Sequence, residues 1–366
     1  MLFYNIIIKS TYLPQFFRPM QKIFFLISFI ICSTHSLFAQ ITGGRSTFAF
    51  LNLVPSARVA SLGGNALAVW DKDVNLAFHN PSLIDSNLHR QGALSYVNYL
   101  SDIAFGAAVY GHRFKKIGTL VGAVQYVNYG TFQGADETGN LTTTFGAAEY
   151  NIQLGYAYSI RPKIKLGTNL KYISSSFETY TSWGMAGDLA VSYVDTGSRF
   201  VVSLIAKNIG YQFKPYVDGN REPLPFDVQL GVSKRLAKAP FRYGIVLQNL
   251  TRFNTRYNDP NDIYYRQIQL DQNGQPTTDT KPHIGDKMLR HVILNGEFLL
   301  GKALQVRVGY NHLRRRELAL PNGTGRNGFT FGAGLKLGRL HVNYANSAYS
   351  LAATAHHFSM NLYLSR

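Results

Sequence analysis

Asp71, Asp73 and Asn75 stand at alternate positions, as the oxygen ligands of a calcium loop begin. The loop fails further on. Its sixth position is Leu76, where glycine makes the sharp turn, and its twelfth is Ser82, where a bidentate Glu closes the shell. These side chains are therefore read as structural, hydrogen-bonding local backbone or a polar surround. His356 and His357 are the only adjacent histidines, and on a strand their rings face opposite sides, so they do not share a metal. The other histidines show neither H-x-H nor H-x-x-x-H spacing. The serine-hydrolase and penicillin-recognising signatures G-x-S-x-G, S-x-x-K and K-T-G are absent. Gly332-x-Gly334 lies inside an alternating stretch and does not open a helix, so it is no phosphate loop; small residues there make room for whatever lies against them. Arg314-Arg315-Arg316 is the one charge run that carries a ligand hypothesis, since guanidinium groups suit the phosphates and carboxylates of lipopolysaccharide. A solvated loop base is the plainer reading. No catalytic, metal or cofactor site is expected, and the chain is read as non-enzymatic.

The compartment follows from residues 23 to 31, IFFLISFII, an apolar run too short to cross a bilayer as a helix. Lys22 before it and Leu37-Phe38-Ala39 after it fit a signal peptide starting at Met20 and cleaved after Ala39, with residues 1 to 19 upstream of it. Cys32, the only cysteine, lies in that leader, so the exported chain has no disulfide and no thiol nucleophile. Removing the leader region takes three basic and no acidic residues from a formal charge of +17, leaving +14. For an exported protein that excess fits acidic lipid, lipopolysaccharide or an acidic partner, and not nucleic acid.

The elements that must carry these residues are strands. From residue 91 onward the pattern has period two: in LQVRVGYNH (304 to 312), Leu304, Val306, Val308 and Tyr310 share one face and Gln305, Arg307, Gly309 and Asn311 the other. The alternation and the turn residues predict about fourteen strands, with no helix-period segment after residue 91. Tight links such as RPK, DTGS and GK follow even-numbered strands, while mostly longer segments follow odd-numbered ones. That asymmetry, the strand lengths and the many Tyr and Phe predict an all-β transmembrane antiparallel barrel in a Gram-negative outer membrane, with both ends periplasmic. A soluble sandwich has no reason to keep every second loop short. The longest connection, 256 to 285, carries Tyr264-Tyr265 and reads as an external loop suited to a protein contact.

Residues 41 to 90 do not alternate. Gly63-Gly64 permits a sharp reversal, Asn80-Pro81 forces a non-helical turn, and Asp71, Asp73 and Asn75 offer polar groups. The domain reading is thus 1–39 upstream residues and signal peptide, 40–90 an N-terminal hatch or plug, and 91–366 the barrel. The run SARVASLGGNALAV (56 to 69), with Arg58, followed by DKDVNLAFHNPSLI (71 to 84), resembles the hatch of the FadL-like outer-membrane barrels. GGRSTFAFLNLVPSAR (43 to 58) and LSYVNYLSDIAFGAAVY (94 to 110) are closer to the PorQ and PorV branch of that family, belonging to the type IX secretion system. The resemblance implies a subunit of an outer-membrane attachment complex with PorU-, PorV- and PorZ-like proteins, in which cargo is joined to anionic lipopolysaccharide. The broader family also admits a transporter of a hydrophobic small molecule. Its lumen would need an apolar path, whereas the inward rows legible here, including Lys165, Asn169, Lys171, Gln305, Arg307, Asn311, His341 and Asn343, are polar or cationic.

Overall fold

The computed structural model describes residues 46–253, 255, 269–270, 276–277, 284–318, 326–348 and 354–364. The expected leader, Cys32, the expected cleavage point at Ala39 and the Tyr264-Tyr265 pair lie outside the described residues.

The strands are β1 (Gln91–Leu100), β2 (Ile103–Phe114), β3 (Gly118–Ala135), β4 (Leu141–Arg161), β5 (Ile164–Phe177), β6 (Tyr180–Asp195), β7 (Phe200–Lys214), β8 (Asp227–Arg235), β9 (Phe241–Leu247), a minor ribbon of β10 (Gln269–Leu270) and β11 (Pro276–Thr277), β12 (Val292–Leu300), β13 (Leu304–Asn311), β14 (Phe329–Leu337), β15 (Leu340–Ala348) and β16 (Thr354–Tyr363). All but the ribbon form one closed antiparallel ring of fourteen, each strand paired with its neighbour in sequence and β9 paired with β12 across the longest connection. β1 closes on β16 in continuous register from Gln91 opposite Tyr363 to Asn98 opposite His356. Closure leaves no unpaired edge, which a strand structure in hydrocarbon requires.

The alternation sorts side chains as the pleat demands. In β5, Leu166, Leu170 and Tyr172 face outward while Asn169, Lys171 and Ile173 are buried; Leu170 is 57% exposed and Asn169 1%. The outward row is apolar around the ring, through residues such as Leu94, Ile152, Leu189, Val306 and Met360. An apolar outer row over a buried polar inner row is the inverse of a soluble β protein and places lipid outside. Aromatic pairs lie on this outer surface, including Tyr126 opposite Tyr150 and Trp183 stacked on Phe213 at 4.9 Å.

Three expectations from the alternation are corrected: strands over 118 to 133 and 149 to 160 with a loop between them, a ninth strand over 240 to 255, and no helix after residue 91. β4 begins at Leu141, so the β3–β4 connection is a ladder carried outward past a bulge between Asn128 and Thr131, with Gly130 at φ +80°. β9 stops at Leu247, two residues before Asn249, which takes a left-handed conformation at φ 56°. Short helices do occur after residue 91: α3 (Ile284–Leu289) and α4 (His312–Glu317), following α1 (Ala57–Ser61) and α2 (Val74–His79) of the N-terminal segment. β13 yields to α4 because the Asn311 carboxamide accepts from the Arg314 amide at 3.1 Å, a side-chain cap that starts a helix.

Residues 46–90 lie against inward faces of strands all around the ring. Phe48, Phe50 and Leu51 cluster with Val97, Phe105, Val127, Ile173 and Ala186 toward the end with the long connections, here called the outer end. Val74, Ala77, Phe78, Ile84 and Leu88 cluster with Ala93, Val109, Val121 and Ala123 toward the tight-turn end. Leu67 packs among Ala190, Ile205, Val246 and Ile293 on the far wall.

Candidate functional site

The N-terminal segment meets the wall most strongly at a buried cluster of charges. Ser56 caps α1, its hydroxyl accepting from the Val59 amide at 3.5 Å, and this first turn aims Arg58 at the wall. The Arg58 guanidinium donates to Asp71 at 2.6 and 2.9 Å, to Asp73 at 3.1 Å, and to both carboxylate oxygens of Glu297 on β12 at 3.2 and 3.1 Å. Two wall arginines complete the set. Arg242 of β9 donates to Glu297 at 2.7 Å and Asp71 at 3.1 Å, and Arg307 of β13 donates to Glu297 at 2.8 Å and to Asn343 at 2.9 Å. Arg307 also donates to Gln305. Three guanidiniums therefore face three carboxylates, so the cluster is neutral, with Asp71 alone reaching solvent at 28% side-chain exposure. Buried charges are tolerated only when paired and hydrogen-bonded to this degree.

Asp73 also caps α2 through the Asn75 amide at 3.0 Å and accepts from Asn361 of β16 at 2.6 Å. The Asn75 side chain in turn donates to the Asn361 carboxamide oxygen at 2.9 Å. The carboxylates that open like a calcium loop are thus fastened to arginines and to the closing strand. Among the described residues no group of three or more His, Cys, Asp or Glu side chains is placed to hold a metal ion.

Backbone fits backbone elsewhere along the segment. Gly63 and Gly64 have φ +84° and +86°, a reversal open to glycine, and the Gly63 amide donates to Thr330 of β14 at 2.9 Å. Opposite them, a Cβ on Gly309 of β13 would run into the Gly63 amide, and one on Gly332 would sit 2.5 Å from the Ser61 Cβ. The glycine at 332 therefore makes room for the segment. Asn80 caps the short helix at Pro81 through the Ser82 amide at 3.0 Å and donates to the Leu67 carbonyl at 2.7 Å, while Ser82 bonds Ser192 of β6 at 2.6 Å. Of the motif residues singled out in the sequence, Arg58, Asp71 and Asp73 meet in one cluster; Asn75, Gly63, Gly64, Asn80 and Pro81 contact or shape separate points of the same interface.

The arginine triplet is dispersed. α4 turns successive side chains by about 100°, so Arg314 points at Gly64, Arg315 lies against Gly328, and Arg316 pairs with Asp286 of α3 at 2.8 Å. Asp286 also accepts from His312 at 3.1 Å and Arg290 at 3.0 Å. Burial pushes the Asp286 carboxyl up, but those hydrogen bonds and the Arg290 and Arg316 charges outweigh it and hold the group below the usual carboxylate range. His356 and His357 separate as expected: His357 is buried and bonds Ser347 at 2.8 Å, and the exposed face holds His356 against the Tyr344 hydroxyl at 2.8 Å.

Glu297 and Arg242 were not singled out in the sequence, although each is a charge on the inward parity of an otherwise apolar strand, and that signal was legible. Their pairing with Arg58 was not, since residues 58 and 297 meet only through closure of the ring.

A closed antiparallel ring with a lipid-facing exterior and a polar interior defines an outer-membrane β-barrel. No family model matches the chain, and no curated protein matches it. Among solved structures it is similar to the Pseudomonas putida toluene transporter TodX, with 11% identity over 84% of this chain and 96% of that one and a TM-score of 0.47. It is similar also to the CymD monoaromatic hydrocarbon channel, with 12% identity over 86% and 97% and a TM-score of 0.47. A Pseudomonas aeruginosa FadL homologue matches at 8% identity over 85% and 98%, again at 0.47.

Proposed function

We propose that this chain is a non-enzymatic outer-membrane barrel stopped by its own residues 46–90, serving as a subunit of a type IX secretion attachment complex with PorU-, PorV- and PorZ-like partners. The observation that carries the closed state is the neutral arginine–carboxylate cluster of Arg58, Asp71, Asp73, Arg242, Glu297 and Arg307, which ties segment to wall without leaving a charged group for cargo. The attachment role itself rests on the resemblance of residues 43 to 110. In this reading the outer connections hold the partners, and Arg316, half exposed beyond the membrane, is the member of its triplet placed to meet lipopolysaccharide. Tagged protein extracted from outer membranes in mild detergent should bring PorU-, PorV- and PorZ-like proteins with it. A lone barrel in that experiment overturns the attachment role.

The second reading is transport of a hydrophobic molecule, and the outer-end cluster of Phe48, Phe50 and Leu51, with Leu53, Tyr99, Ile103 and Tyr129 packed against it, is the observation in its favour. That cluster is buried, and displacement of the segment, which would then act as a moving hatch, would open it to a hydrophobic molecule. The cargo named for TodX and CymD supplies the probe. Toluene uptake by cells expressing the protein, abolished when the segment is cross-linked to β13, would establish this reading over the first.

A further inference from the structure

A cavity of about 440 Å³ lies between the N-terminal segment and the wall formed by β7, β8 and the start of the β9–β12 connection. It sits toward the outer end, where the Thr47 amide donates to the Pro223 carbonyl in the β7–β8 connection, and Asn52 on its rim is exposed. Its size is that of a site for a small molecule. Its chemistry is not that of the apolar cluster next to it. His79 and Asn65 enter from the segment, Lys207 and Asp227 from β7 and β8, and Arg252 and Arg314 close it from the outer connections.

Among the described residues, two of these groups lack a hydrogen-bond or ion-pair partner. His79 is 8% exposed, and among the described residues its buried Nε2 has no hydrogen-bond partner. Buried polar atoms are normally satisfied, so an orphan on a side chain that lines a cavity marks a place for something else to bond. Lys207 is half-buried, and among the described residues its ammonium makes no hydrogen bond and no ion pair. The nearby Asp188 is already taken by Lys171 at 2.8 Å and by Asn169 at 3.0 Å. The floor beneath is fixed, because Asn65 donates to Gln229 at 2.7 Å and Gln229 donates to Asp227 at 2.6 Å. Lys207, Arg252 and Arg314 outnumber the acids Asp227 and Glu317 on the lining.

We propose that this cavity binds a small hydrophilic anion of sugar size, carrying a carboxylate or a phosphate, with Lys207 and Arg252 facing the charge and the His79 imidazole bonding one of its oxygens. The proposal goes beyond the attachment and transport readings and depends on neither. A guanidinium and an ammonium supply charge-assisted bonds, and the amides of Asn65 and Asn249 along the lining suit hydroxyl groups. A hydrocarbon would leave His79 and Lys207 desolvated and unpaired, which the site penalises.

The test is calorimetric titration of the full-length protein in detergent with galacturonate, glucose 6-phosphate and, as the neutral control, galactose. Saturable binding of either anion, at least about tenfold tighter than galactose, is expected; which of the two binds decides between carboxylate and phosphate. Lys207→Met and His79→Phe should each weaken that binding by about tenfold or more, while Lys163→Gln, on a tight turn at the opposite end, leaves it unchanged. Should Lys207→Met fail to give the heat-modifiable gel mobility of a folded barrel, Arg252→Gln, outside the strands, takes its place. Absence of saturable binding for both anions overturns the proposal, as does equal binding of galactose, or wild-type affinity in the folded variants. Recovery of partner proteins in mild detergent is a separate readout, so failure here and failure of the attachment reading are told apart.

Discussion

Glu297 accepts from three arginines, one on the N-terminal segment and two on the wall, and its removal would leave Arg58, Arg242 and Arg307 sharing two aspartates. Breaking a buried ion pair from one side costs roughly 3–5 kcal/mol, because the stranded charge stays out of water. Glu297→Ala is therefore expected to lower the temperature at which the folded gel band converts to the unfolded one. Asp71→Asn, at the solvent-reaching edge of the cluster, should lower it less. Equal shifts for the two variants would show that the cluster is not organised around Glu297. Asp286 carries a pH prediction at the same scale. Its carboxyl is held below the usual range in the folded protein, so its contribution is complete above the unfolded carboxylate pKa of about 4 and is lost as pH falls through the depressed folded value. Backbone amide exchange in α3 and α4 should stay protected at neutral pH and rise only in strong acid. Exchange that rises between pH 6 and 5 would refute the assignment.

At the scale of elements, the segment is held by shape as much as by charge. Gly309 has no room for a side chain because the Leu62–Gly63 backbone occupies that space, yet Gly309 itself stays paired in the ladder with Asn295 and Thr330. Gly309→Val should consequently leave the barrel intact and push the segment off the wall. Limited proteolysis from the tight-turn side, quantified by release of a fragment from residues 46–90, reports this: faster cleavage than wild type with unchanged barrel mobility is expected, and identical cleavage would mean that the segment does not lie where Gly309 places it. α4 depends on a single side-chain cap, and Asn311→Ala removes it at a cost of about 1 kcal/mol. The strands themselves were legible from alternation, because a lipid-facing row and a lumen-facing row differ in polarity at every step. α4 was not legible. Its six residues, HLRRRE, continue the alternation of β13 for a few positions, and only the Asn311 cap turns them.

For the whole molecule, the consequence of the filled interior is electrical. Wild-type protein reconstituted in a planar bilayer should show no steady open level, and Arg58→Ala combined with Arg242→Ala should produce one, since two of the three cations that hold Asp71 and Glu297 are then gone. Steady conductance of wild-type protein would sink the closed state and favour the moving hatch. The exterior needs no such test: a closed ring with an apolar outer row is stable only with lipid around it.

The strand count, the lipid-facing rows and the non-alternating character of residues 41 to 90 were determined by sequence alone, since each follows from local periodicity and turn chemistry. So was the weakness of every catalytic and calcium signature, which fails on residue identity before geometry matters. Tertiary structure decided the partners. Arg58 and Glu297, Asp73 and Asn361, and Gly63 and Gly309 stand 239, 288 and 246 residues apart in the chain, and no local pattern couples positions that meet only when the first strand closes on the last. The cavity at His79 and Lys207 has the same origin, because an unpaired nitrogen is a property of what surrounds it once the segment has packed, and not of the residue that carries it.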